Sequence, residues 1–459
     1  MMATEVIQDA RIRQLNSKGF RNGDYVLYWM QQSSRAEYNH ALVYATQVAN
    51  DLGQPLLVVF GLMDDYPEAN LRHYTFMLQG LKETKEALAE LGIKMVVRRG
   101  NPADVALDTG RNASVIVCDR GYLRHQKDWR KKVGEKAACR VVEVEGDVVV
   151  PVEVVSGRAE YAARTIRPKI KKHLDDCLIG LPTIKLDRHS LSLRVQGLGI
   201  NDMDALLSSM KIDRSVNPVN QPYKGGTSQA KRIFEEFIRE KLPLYKQNRN
   251  QPQTNDVSLM SMYLQFGQIS PLYLALQIQN AMHKTEKDGE AFLEELIVRR
   301  ELAINFVNYI NDYDSFSCLP AWAKTTLRDH QNDEREHEYT REQLENAETH
   351  DDYWNAAMKE MKETGYMHNY MRMYWGKKIL EWCHTPEYAF RTALYINNKY
   401  FIDGRSPNAF ANIGWVFGLH DRPWKERPIF GKIRYMAASG LERKCDINAY
   451  LEKVEKLTS

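Results

Sequence analysis

Along the first third of the chain, short apolar runs alternate with longer amphipathic stretches. Residues 26–30, 55–62, 94–98, 115–118 and 141–144 have the length and the β-branched content of buried strands. Between them, residues 36–51, 71–91, 102–109 and 124–137 repeat their apolar positions at helical spacing. Strands separated by helices require right-handed crossovers and a parallel sheet covered on both faces. Residues 20–155 are therefore expected to form an α/β domain of Rossmann-like architecture. No GxGxxG loop follows the first strand, so the dinucleotide fingerprint is missing.

Residues 156–225 have a weaker pattern. Residues 181–217 mix proline, glycine, serine and basic residues without a sustained period, which predicts a long surface connection. After Gly225 and Gly226 the apolar period becomes 3.6, over residues 228–240, 271–282, 289–309, 351–364, 370–383 and 386–397. Residues 226–459 are thus expected to be an all-α domain. Two domains also suit 459 residues and 53.2 kDa, more than one hydrophobic core usually serves.

Composition narrows the function classes only slightly. Lysine plus arginine (63) nearly cancels aspartate plus glutamate (60), so the net charge of +3 does not announce a nucleic-acid binder, and any such site must come from local clustering. The cysteines at 118, 139, 177, 318, 383 and 445 lack metal-ligand spacing and suggest a reducing compartment with no metal site. Residues 1–20 are polar, and no segment approaches a membrane-spanning length, so a cytoplasmic protein without a membrane partner is expected.

The candidate chemistry is concentrated late in the chain. Six of the eight tryptophans lie beyond residue 300. Trp375 and Trp382 are two helical turns apart, which puts them on one face with about 10 Å of rise between them. Core filling explains such a stripe equally well. Interleaved His368, Asn369, Arg372 and Lys377 argue against pure core, because buried charges need partners. Asp403, Gly404, Arg405 and the Ser406–Pro407 pair signal a loop, either a solvated turn or one that offers a carboxylate and amides to a ligand. Tyr245 and Arg249 precede Ser258 and Ser261, which stand ahead of an apolar helix where serines either cap or hold phosphate.

Residues 364–373 resemble the Gly-aromatic-Met-His-Asn-x-x-Arg-Met motif of the photolyase and cryptochrome family, through Gly365, Met367, His368, Asn369, Arg372 and Met373. Asp403, Gly404, Arg405, Pro407 and Asn408, together with residues 431–436, are similar to the class II subgroup, as are Trp354, Trp375 and Trp382. The resemblance spans nearly the whole chain. It implies an N-terminal antenna domain and a C-terminal helical domain that binds FAD in a bent conformation. Tyr245, Ser258, Leu259, Met260 and Ser261 would surround the flavin phosphates. Arg372 and Asp403 would pair beside the flavin ring, with Asn397 near its N5 and Asn408 as the alternative. The implied activity is light-driven repair of cyclobutane pyrimidine dimers in UV-damaged DNA, with the thymine dimer flipped out of the duplex.

By the same resemblance, Glu295 would hydrogen-bond the dimer, and Asn369, Tyr370, Met373 and Trp415 would wall its pocket. Arg249, Asn250, Arg422 and Arg434 would contact the lesion or the opened duplex. Trp382, Trp375 and Trp354 would carry electrons to the flavin, with Tyr374 as an extension. Two positions depart from the family pattern. Arg299 stands where many members have tryptophan against the dimer, and Met262 stands where proline is usual. The rival readings are a cryptochrome-like blue-light sensor and a (6-4) photolyase. The class II motifs oppose the second, and the end of the chain soon after residues 446–457 favours repair over signalling. For the antenna, a deazaflavin, another chromophore or none all stay open. A monomer is expected.

Overall fold

The computed structural model describes residues 7–219, 223–282 and 285–458. Residues 1–6 of the expected polar N-terminus and 220–222 of the expected connection lie outside the described residues. The first half is built on six strands, β1 (Ile12–Gln14), β2 (Tyr25–Trp29), β3 (Leu56–Leu62), β4 (Lys94–Arg99), β5 (Ala113–Asp119) and β6 (Arg140–Val144), in the order β1-β6-β5-β2-β3-β4. Strands β2 to β6 pair in parallel, and β1 runs antiparallel to β6 with Ile12 opposite Val144. β2, β3 and β5 are buried along their whole length, as apolar strands covered on both faces must be. The five longer strands match the apolar runs. The pattern misses β1, whose sequence Ile-Arg-Gln is too short and polar to register.

The strand order reverses between β2 and β5, the place where open α/β sheets bind ligands beyond the strand ends. Here the backbone donors at that position are already taken from within. The amides of Gln31, Gln32 and Ser33 all donate to Asp119 Oδ2, at 2.8, 3.0 and 3.1 Å. A carboxylate of β5 thus takes the donors a dinucleotide fold would offer to phosphate, which accounts for the missing glycine-rich loop.

Residues 156–225 are more ordered than a plain connection. They contain the helices Ala163–Cys177 and Met203–Ser209. Between these helices the chain lies along the edge strand, with Leu198 N donating to the Val97 carbonyl at 2.7 Å and Lys94 N to Ser190 Oγ at 2.7 Å. Leu186, Ile200, Leu206 and Leu207 join the core on that face of the sheet. The apolar positions are too widely spaced to show a period, yet they cover an edge that would otherwise be an open pairing site.

The second half is helical. The expected helix at 289–309 is a longer run, Glu286–Leu293 and Arg300–Tyr309 joined by a π-helical turn, Glu294–Arg299. Such turns are uncommon and gather at functional sites. The expected loop around residue 405 ends sooner than its composition suggests. Ser406 Oγ accepts from Ala409 N at 3.0 Å and Pro407 opens the helix Pro407–Val416, so Ser-Pro here marks a helix start. The two halves are tied by buried polar contacts. Arg72 donates to the Tyr400 carbonyl at 2.8 Å, Arg300 pairs with Asp147 at 2.8 Å, and Glu301 accepts from Val149 N at 2.6 Å.

Candidate active site

A broad cleft, open to solvent, runs into the helical half. Its walls come from residues 257–261, the π turn with the helix after it, the helix Asn369–Trp382, the helix Pro386–Tyr400 with the loop that follows, and the helix Pro407–Val416. Tyr245, Ser258, Leu259, Met260 and Ser261 lie together on one side. The serines are not ordinary caps. The helix Ser261–Gln265 starts at Met260 without a side-chain cap, and Ser258 Oγ accepts weakly from Met260 N at 3.4 Å. Leu259 is held at φ +60°, a conformation that costs a branched side chain about 1 kcal/mol or more and gathers at ligand-binding backbones.

Across the cavity, Arg372 Nη1 meets Asp403 Oδ1 at 3.0 Å, and both side chains are nearly buried. Arg372 Nε donates to the Met367 carbonyl at 3.0 Å, and its guanidinium lies 3.8 Å from the Phe401 ring centre. The ion is thus fixed on three sides. Asn397 is buried beside it, donating from Nδ2 to Asn398 Oδ1 at 2.9 Å, and Asn408 is on the same wall.

The three tryptophans are in sequence but not on one helix face. Trp375 lines the cavity, and its Nε1 is buried without a hydrogen-bond partner. Trp354, from the helix Asp352–Thr364, donates from Nε1 to the Trp375 carbonyl at 3.0 Å. Trp382 follows, with its ring 5.6 Å from that of Trp354. The stripe read from spacing is therefore bridged by a tryptophan of another helix. Trp354 and Trp382 stand behind the cavity wall. Tyr374 is buried and donates to Asp351; burial, and after it the Asp351 charge, drives the phenol pKa far upward.

Toward the mouth, Glu295 pairs with Arg249 at 3.0 Å, and both are partly exposed. Arg299 joins Glu294 at 3.1 Å, and Glu294 is also held by Arg167 at 2.7 Å. Asn250, Asn369, Met373, Trp415 and Arg434 complete this end. Tyr370 and Arg422 are not brought to the wall. Tyr370 follows Asn369 by one helical step and turns into the core, while Arg422 is exposed and lies over Trp424 at 5.2 Å. The buried Met262 leaves the turn intact without the family's proline.

The pattern also missed cavity residues. Asp147 and Arg300 form a buried pair on the wall, and Gln32 donates to Asp147 Oδ2 at 3.1 Å. The available signal was position, since Asp147 follows β6 at the carboxyl end of the sheet, where such folds place ligands. Burial pushes the Glu301 carboxyl up to about 8 and pulls the Lys377 ammonium down to about 7. A second, smaller cavity lies at the carboxyl ends of β2 and β3 and is lined by Phe60, Tyr66, His73, Trp129 and Arg405 among others. Arg405, at φ +62°, is buried there with an unpartnered Nε. Gln32, Gln265 and Pro407 face both cavities.

The family model described as DNA photolyase matches residues 26–186. The deoxyribodipyrimidine photo-lyase of Methanothermobacter thermautotrophicus is 49% identical, over 98% of this chain and 99% of its own. A class III photolyase from Agrobacterium tumefaciens superposes with a TM-score of 0.73 at 18% identity, covering 95% of this chain and 87% of its own. The archaeal photolyase from Sulfolobus tokodaii, solved with two FAD molecules, superposes with a TM-score of 0.70 at 16% identity, covering 95% of this chain and 91% of its own. With close to half its residues identical to such a relative from end to end, the chain belongs to the DNA photolyase family.

Proposed function

We propose that this chain is a class II cyclobutane pyrimidine dimer photolyase that repairs UV-damaged DNA in the light. The observation that carries the reading is the large cavity flanked by the buried Arg372–Asp403 pair on one side and Trp375 on another. The residues present fit FAD: a buried cation–carboxylate pair for a polar ring edge, an unpartnered indole N–H at the wall, and a strained backbone turn with two serines for phosphates. FAD, when bound and reduced, supplies the photoexcited electron that opens the cyclobutane ring. Tyr245, Ser258, Leu259, Met260 and Ser261 would bind its phosphates, Arg372, Asp403 and Asn397 its ring, and Asn408 would be second choice to Asn397.

At the mouth, Glu295 would give up Arg249 and accept from the flipped dimer. The exchange costs little, because a partly exposed ion pair is worth about 0–1 kcal/mol. Asn369, Met373 and Trp415 would enclose the dimer and exclude water, while Arg249, Asn250, Arg299, Arg422 and Arg434 would meet the strand. Tyr370 would act through packing. Trp375, Trp354 and Trp382 would relay electrons from the surface.

We assign residues 20–155 to the antenna domain, 156–225 to the connection and 226–459 to the FAD-binding domain. The second cavity would take the antenna, a planar heteroaromatic of the deazaflavin type, with Arg405 Nε as a donor for an anionic edge. Six free thiols suit a reducing, cytoplasmic compartment, where the protein would act on DNA as a monomer. Purified protein loaded with FAD, reduced and illuminated with dimer-containing DNA, should restore thymines. Flavin retention with no repair would favour the cryptochrome-like sensor instead.

A further inference from the structure

Lys377 is wholly buried on the helix Asn369–Trp382. Its ammonium donates to the carbonyl of Val416, and Nζ lies 4.7 Å from the centre of the Trp415 ring. Arg434 approaches the same ring, its Cζ 5.7 Å from the centre. No ion pair among the described residues includes Lys377, whereas its neighbour Lys378 meets Glu381 at 2.7 Å. A buried ammonium without a carboxylate is expensive, and a methionine would fill the same space without that cost. The charge therefore needs a use, and what it faces is an indole on the cavity wall. Cations beside an indole are held by its π-cloud and draw electron density toward themselves.

We propose that Lys377 is a positioning residue for the substrate: its ammonium fixes Trp415 as an electron-poor wall and brings positive potential to a base lesion that acquires an electron. This rests on the reading of the cavity as the lesion pocket. Two charged groups act on the ammonium from the packed elements, Asp421 in favour of the charge and Arg434 against it. With burial they bring its titration to about 7, so the support is present in mild acid and withdrawn in mild alkali.

The test is dark binding of the flavin-loaded protein to a dimer-containing oligonucleotide and to its undamaged counterpart, between about pH 6 and pH 8.5. The wild type should lose about tenfold of its affinity for the damaged strand across that range, as the pocket wall loses the positive potential that faces the bound base, and change little for the undamaged strand. Lys377→Met should bind the damaged strand weakly throughout, and Lys377→Arg should keep the affinity at the alkaline end. Wild-type affinity in Lys377→Met at pH 6, or an unchanged pH profile in Lys377→Arg, would overturn the proposal. A wild type with no preference for the damaged strand at any pH would instead sink the pocket reading and this inference with it. Should the variants not fold, the wild-type profile decides: a damaged-strand affinity that falls between about pH 6 and pH 8.5 is expected, and one that stays flat overturns the proposal.

Discussion

Replacing Asp403 with leucine removes the carboxylate that meets Arg372 at 3.0 Å inside the helical half. At that separation and an effective dielectric near 20, the attraction is about 5 kcal/mol before the cost of desolvating both ions. The guanidinium cannot leave, because the Met367 carbonyl and the Phe401 face still hold it. An uncompensated buried charge then remains, and the expected loss is about 3–5 kcal/mol. Asp403→Asn should cost less, since an amide oxygen still accepts. The assay is urea unfolding followed by near-ultraviolet circular dichroism, with Arg372→Leu and the double variant completing a cycle. A coupling energy above about 1 kcal/mol, little changed by added salt, is expected of a screened-off pair. A loss below about 1 kcal/mol for Asp403→Leu, or coupling that vanishes in salt, would refute the reasoning. Flavin retention should fall in both single variants.

Trp382→Phe should stop light-driven reduction of bound oxidised flavin while sparing repair by chemically reduced protein; unaffected photoreduction, read by absorbance, would remove this residue from the relay. Glu295→Ala should lower repair yield about tenfold, as for loss of one charge-assisted hydrogen bond, with lesion affinity nearly kept, and equal losses of both would count against its role. Glu301 is raised by burial from 4.5 to about 8, so the folded protein holds that proton more tightly. Its contribution is complete below about pH 4.5 and is lost as pH rises through 8, up to about 5 kcal/mol in all. Glu301→Gln should flatten the fall in urea stability between pH 5 and pH 8, and an unchanged slope would contradict the assignment.

The sheet was legible because five of its strands carry short apolar runs and are separated by amphipathic helices, a signal that needs no tertiary information. β1 was not, since three residues carry no period and only the antiparallel partner β6 makes them a strand. The chain beside β4 was read as bare connection because Leu186 and Ile200 acquire meaning only against the sheet. In the site, Arg372 and Asp403 were found through their motifs, and the structure brings them into contact. Spacing placed Trp375 and Trp382 on one helix but could not show that Trp354 lies between them. Asp147 and Arg300 escaped because a charged residue in a helix or after a strand looks solvated until burial is known.

The most direct test of the whole account is restored thymine in dimer-containing DNA, measured after illuminating the flavin-loaded, reduced protein against a dark control. Repair that requires light and reduced flavin is the predicted result. Intact dimers after illumination of protein that carries reduced flavin and binds the damaged strand would contradict it.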